Sequence, residues 1–148
     1  MLLLGRMNVP HRNRVVRYLR GAGVPVMTAG DYGDPSLWWE SRTELVNRMK
    51  IMLSLGRFPG TLGGVRFLIA LACGALVVSE PPYDPTPYVP GKHFVQALVE
   101  DMPSVIERYL ADENERARIA QCAHRFVTTE LTMERSFSAL LEVAASRL

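Results

Sequence analysis

The chain has 148 residues, 48% of them apolar, with a formal net charge of +2. That is enough for one ordinary domain with a real core. The charge is too small to mark a dedicated nucleic-acid binder, and two cysteines without CxxC or Cys/His spacing leave no zinc motif. Free thiols, Cys73 and Cys122, are expected to be buried in a reducing compartment. MLLLG at the start is too short for a signal peptide, and the apolar run Phe67 to Val78 is far short of a membrane span. A cytoplasmic domain is expected.

In chain order, Leu2–Leu4 reads as a short buried strand ending at Gly5-Arg6. Pro10 can open a helix, and Arg12–Arg20 sets Val15, Val16 and Leu19 on one face and arginines on the other, stopped by Gly21 and Gly23. Val24–Thr28 reads as a second strand, Gly30 to Trp39 as a loop, and Ser41–Lys50 as a helix with Leu45, Val46 and Met49 inward. Ile51–Leu55 is a third strand, followed by the loop GRFPGTLGG and an apolar helix, Arg66–Cys73, ended by Gly74. Ala75–Ser79 is a fourth strand and His93–Ala97 a short fifth. Helices are predicted over Met102–Ala111, Glu113–Thr128 and Thr132–Arg147, with Asp112 and Thr132 as N-caps.

Short apolar strands alternating with helices predict an α/β, Rossmann-like parallel sheet with helices on both faces and a C-terminal helical extension, as a single domain over residues 1–148. Ligands of such sheets bind beyond the carboxyl ends of the strands. That rule selects four segments: Gly5–Arg12, Ala29–Trp39, Gly56–Arg66 and Ser79–His93. They hold most of the unusual residues.

Three of them can carry chemistry. Gly5-Arg6, with His11 and Arg12 after it, combines a turn that lets backbone approach a ligand with arginines suited to phosphate. The Gly56–Gly64 loop leads into a helix whose first amides and dipole attract anions. Arg66 in that first turn opposes the dipole unless an anion is bound nearby. Ser79-Glu80 ends a buried strand; the carboxylate can accept bonds from ribose or sugar hydroxyls, and Lys92 can neutralise a diphosphate. Trp38 and Asp31 are candidates for touching a base, with Trp38 and Trp39 equally able to cover a core edge. The three histidines are too scattered to gather a metal. The basic face of 12–20 is expected to be solvated, with nucleic-acid contact as an alternative.

GGVRFLIALACGALVVSE resembles the group 1 type glycosyltransferases, which include a spore-maturation-protein-like branch; the match runs from Arg66 through Val78 with Cys73-Gly74 at the turn. LLLGRMNVPHRN resembles that family's strand followed by Gly-Arg and a later basic residue. YVPGKHFV, holding Tyr88 and Lys92, resembles the loop that closes over the donor, and ADENERARIAQCAHRFVTTELTMERSFSALL resembles the C-terminal helices. The resemblance implies the C-terminal half of a GT-B fold. It implies binding of a nucleotide-diphosphate sugar as substrate with no further cofactor and no metal. Gly5, Arg6, Arg12, Gly63, Gly64, Arg66, Tyr88 and Lys92 would bind that donor, with Glu80 and Arg66 in catalytic roles.

Two departures stand out. Many members carry two glutamates eight residues apart, and here those positions are Thr61 and Ile69. The N-terminal acceptor domain of a GT-B enzyme is expected to be absent, so that a separate acceptor domain or a homo-oligomer would complete the cleft. A non-catalytic nucleotide-binding or regulatory domain is the rival expectation.

Overall fold

The computed structural model describes residues 1–5, 7–30 and 40–146. Arg6, Asp31, Trp38 and Trp39 lie outside the described residues. Five strands form one parallel sheet: β1 (Leu2–Leu4), β2 (Met27–Ala29), β3 (Ile51–Ser54), β4 (Leu76–Ser79) and β5 (Val95–Gln96), in the order β2-β1-β3-β4-β5. Among the described residues six α-helices connect and follow them: α1 (Pro10–Gly21), α2 (Glu40–Asn47), α3 (Val65–Ala72), α4 (Met102–Ala111), α5 (Glu113–Arg125) and α6 (Met133–Ala145). A wide π-helical turn, Phe126–Glu130, extends α5.

The central strands β1, β3 and β4 are buried throughout and mostly apolar because both faces are covered. Their side chains alternate between two cores, as the pleat requires. Leu3, Leu53 and Val78 pack with Val15, Val16 and Leu19 of α1 and Met102, Ile106 and Tyr109 of α4. Leu2, Leu4, Met52 and Val77 pack with Val46 of α2, Phe67, Ala70 and Leu71 of α3, and Ala123 of α5. Each fully buried Leu, Val, Met or Phe contributes about 1.5–3 kcal/mol relative to exposure.

Local chemistry sets most element ends. Pro10 stands in the first turn of α1, and Gly23 closes it at φ 81, where Gly23 N–H donates to Arg20 and Val24 N–H to Leu19. Asp112 accepts from Glu115 N–H at 3.0 Å and Thr132 Oγ1 from Arg135 N–H at 3.3 Å, so both expected N-caps are in place. The second strand starts later than expected, at Met27. Pro25 has no N–H for a ladder, so Val24 and Val26 are buried without pairing. The C-terminal helix carries no buried residue at all. Among the described residues no helix is long and apolar enough to cross a membrane.

The strand order was not legible in the sequence, and it decides where a ligand goes. From β1 the chain passes through α1 to β2 on one side. It then returns through α2 to β3 on the other side of β1. The connections diverge between β1 and β3, which opens a crevice beyond their carboxyl ends.

Candidate functional site: a cationic cleft at the strand switch point

Gly5 follows β1 at φ 115, a backbone conformation that strongly favours glycine, and its N–H donates to Ala29 O at 2.8 Å. Gly30 comes alongside: a Cβ on it would lie 3.4 Å from the Gly5 nitrogen. Gly30 lines the floor of a cleft of about 880 Å³, and Gly5 lies against it. Its walls come from the start of α1, including Asn8 and Arg12, and from the Gly56–Arg66 segment.

Two guanidinium groups reach over that floor. A Cβ on Gly5 would lie 2.6 Å from Arg66 Nη1 and 3.4 Å from Arg12 Nη1. Arg12 is only 5% exposed, and its Nε donates to the carbonyls of Leu55 (2.9 Å) and Gly56 (3.2 Å) just past β3. This corrects the expectation that Arg12 belongs to a solvated helix face. Of that face, Arg20 donates to Val26 O and Arg17 bonds Asn13, while Arg14 is exposed.

Arg57 is a third cation in the cleft wall, and sequence reasoning gave it no role, although it directly follows Gly56 in the glycine loop. Burial, then the charges of Arg66 and Arg57, hold the Arg12 guanidinium below its usual range. Burial and Arg57 do the same to Arg66. Among the described residues no carboxylate pairs with any of the three. Three like charges converge with no counter-ion among the described residues, a costly arrangement that an anion relieves.

The start of α3 adds to the field. Gly63 and Gly64 precede it, Gly64 at φ 55 with no side-chain cap. The first amides of a helix have no intrahelical partner, and they carry its positive dipole end. Phe67 N–H, by contrast, is already bonded to Gly64 O.

The segment after β4 lies at the same edge of the sheet but not in this cleft. Glu80 Oε2 sits 2.6 Å from His11 Nε2, each side chain 13% exposed. Tyr88 packs its ring on Phe67 (centroids 4.9 Å apart) and on Phe126 (6.0 Å). Lys92 is exposed. The cleft thus gathers Gly63, Gly64, Arg12 and Arg66 around Gly5, and leaves Glu80, Tyr88 and Lys92 outside its lining. The remaining histidines bind within the fold. His93 stacks on Phe126 and accepts from Val89 N–H, and His124 Nδ1 lies 2.9 Å from Ala72 O.

Thr61 and Ile69 present nothing like a carboxylate pair. The Thr61 hydroxyl donates to Phe58 O at 2.8 Å, and Ile69 packs against the α3 side of the core.

A parallel sheet in this order with helices on both faces is a doubly wound α/β architecture, whose ligands bind at the switch point. A family model described as glycosyl transferase-like matches residues 12–142, and the chain belongs to that family. Among solved structures it is similar to the C-terminal domain of a group 1 family glycosyl transferase from Francisella tularensis. The TM-score is 0.58 at 17% identity, over 82% of this chain and 63% of that one. The chain therefore spans less than two thirds of that structure, and the likeness is one of fold. None of the curated proteins compared with the chain matches it.

Proposed function

We propose that the cleft binds the diphosphate of a nucleotide sugar, and that the chain is the donor-binding module of a glycosyltransferase. The observation that carries this reading is the meeting of Arg12 and Arg66 over Gly5 with no carboxylate among the described residues paired to them. A diphosphate placed there answers the three cations and the amides at Gly63 and Gly64. As the bond from sugar to phosphate breaks, negative charge grows on the leaving diphosphate. Preorganised guanidinium groups and helix amides lower the energy of that state without having to move. Arg66 is the group placed best for this role, because it stands in the first turn of α3 and reaches Gly5. Arg6 would add a further cation. Glu80 keeps Oε1 for a ribose or sugar hydroxyl while Oε2 meets His11, and Tyr88 and Lys92 belong to a loop that would fold over the donor.

The acceptor surface would come from a separate N-terminal domain or from a second copy of the chain. Two free thiols and a nucleotide substrate fit a reducing, cytoplasmic setting. Thr61 and Ile69, where many group 1 enzymes have glutamates, agree with placement in the spore-maturation-protein-like branch.

The test is a thermal-shift titration against UDP-, GDP-, ADP- and dTDP-sugars. A ligand that binds only the folded chain raises the melting temperature with concentration. One nucleotide family should do so, and Arg66→Ala should abolish the shift. No shift from any donor at millimolar concentration would sink the reading. The lack of carboxylates at Thr61 and Ile69 favours a second reading, a domain that binds nucleotide without transfer. It is distinguished by donor binding with no turnover when an acceptor-binding half is supplied.

A further inference from the structure

Ser54, the last residue of β3, is 5% exposed, and among the described residues its hydroxyl oxygen is buried without a hydrogen-bond partner. A buried hydroxyl without a partner costs about 1–3 kcal/mol, so such a group calls for an explanation. The other three positions of β3 are apolar, while its in-register neighbour on β4, Ser79, gives its hydroxyl to Glu80 O and leaves Ser54 without that bond. Ser54 is also not a neutral choice for its neighbour. A Cβ on Gly63 would come 2.6 Å from Ser54 Oγ, so a glycine is needed above it. The hydroxyl therefore lies directly beneath the loop that opens α3.

Ser54, Gly63 and Arg66 together border a void of about 10 Å³, whose other walls are apolar. That is about the volume one water requires. A water there finds polar groups only at Ser54, Gly63 and Arg66, and two of these, Gly63 and Arg66, also line the cationic cleft.

We propose that Ser54 is part of the anion site, its hydroxyl reaching a phosphate bound at the start of α3 through the single water this void admits. The inference rests on the donor-binding reading above and adds a residue to it. Three observations join in it: the partnerless hydroxyl, the glycine it forces at position 63, and the water-sized void shared with Arg66. When a phosphate oxygen enters, the water gains a charged acceptor, and Ser54 gains a partner that burial had denied it. A water bridge of this kind is nearly as good as a direct hydrogen bond. Ser54 is thus a positioning residue for the phosphate.

The experiment measures calorimetric affinity for UDP and for inorganic pyrophosphate, together with the melting temperature of the ligand-free chain, in Ser54→Ala and Arg66→Ala. Ser54→Ala should bind both probes roughly threefold to tenfold more weakly. Its ligand-free melting temperature should stay unchanged or rise, because an unsatisfied hydroxyl is gone. A merely structural serine moves only the melting temperature, so unchanged affinity overturns the proposal. A fall of several degrees in the ligand-free Ser54→Ala chain also overturns it, since the hydroxyl would then have had a partner all along. If Arg66→Ala loses binding while Ser54→Ala keeps it, this inference fails and the donor reading stands. If the unaltered chain binds neither probe, both fail together.

Discussion

His11 and Glu80, 69 positions apart, meet at 2.6 Å where the first turn of α1 faces the end of β4. Both are largely shielded from water. The contact ties one core-forming helix to the far side of the crevice. Removing either partner leaves the other buried and unpaired, which costs about 1–3 kcal/mol. Glu80→Ala and His11→Ala should each lower stability in urea unfolding by about that much. The double variant should lose less than the sum, with a coupling of about 0.5–3 kcal/mol. Strict additivity would mean that the contact carries nothing.

Arg12 and Arg66 should respond in opposite ways to truncation. Arg12 is bonded to two carbonyls past β3, so Arg12→Ala should destabilise the ligand-free chain by about 2–3 kcal/mol. Arg66 has no such partner among the described residues and meets the repulsion of its neighbours, so Arg66→Ala should leave stability within about 0.5 kcal/mol, or raise it. At equal ionic strength, phosphate should raise the melting temperature of the unaltered chain above its value in chloride. Arg66→Ala should shrink that difference, and an equal difference in both chains would argue against an anion in the cleft.

The floor of the cleft admits no side chain. Gly63→Ala places a methyl 2.6 Å from Ser54 Oγ and should cost about 1–3 kcal/mol. Gly5→Ala meets φ 115 and a clash with Arg66, so strain of about 1–3 kcal/mol should come with weaker anion binding. Chemical denaturation and the phosphate shift read the two effects separately. A stable Gly5→Ala chain with an undiminished shift would contradict this geometry.

His93 gives the fold a pH dependence. Burial, then the charge of Lys92, lower its pKa from the ordinary 6.5 against the opposing pull of Glu130. The unfolded chain therefore binds a proton more readily than the folded one. The associated stability is fully present above pH 6.5 and is lost as pH falls from there through the depressed value. Protonation of Nδ1 also ends its acceptance of Val89 N–H. Melting curves between pH 5 and 7.5 should fall more steeply on the acid side for the unaltered chain than for His93→Gln. Parallel curves would remove His93 as the cause.

Much of the fold was legible in the sequence because local rules governed it. Met102–Ala111 came out at its observed bounds, set by the apolar spacing of Met102, Ile106 and Tyr109 and by the cap at Asp112. The four segments after the strands were chosen by a rule of sheet geometry, and three of them do line the cleft. What stayed hidden depended on partners distant in sequence. Helical spacing put Arg12 with the arginines of α1, and only the carbonyls of Leu55 and Gly56, more than forty residues on, draw it inward. Glu80 looked like a free carboxylate because nothing local announces His11. Ser54 gave no signal, since a serine ending a strand is unremarkable until Gly63 lies over it.

The last helix has a consequence for how the chain comes apart. Met133, Phe137, Leu140 and Leu141 are all exposed, and none of the thirteen residues of α6 is buried. An isolated helix of that length is marginal in water, because packing supplies most helical stability. The cooperative unit of this fold should therefore end near Leu131. In native-state hydrogen exchange, amides of α5 should wait for global unfolding, while those of α6 should exchange by local fraying at nearly the rate of an open peptide. Replacing Phe137 and Leu140 by serine should leave the first group of rates untouched.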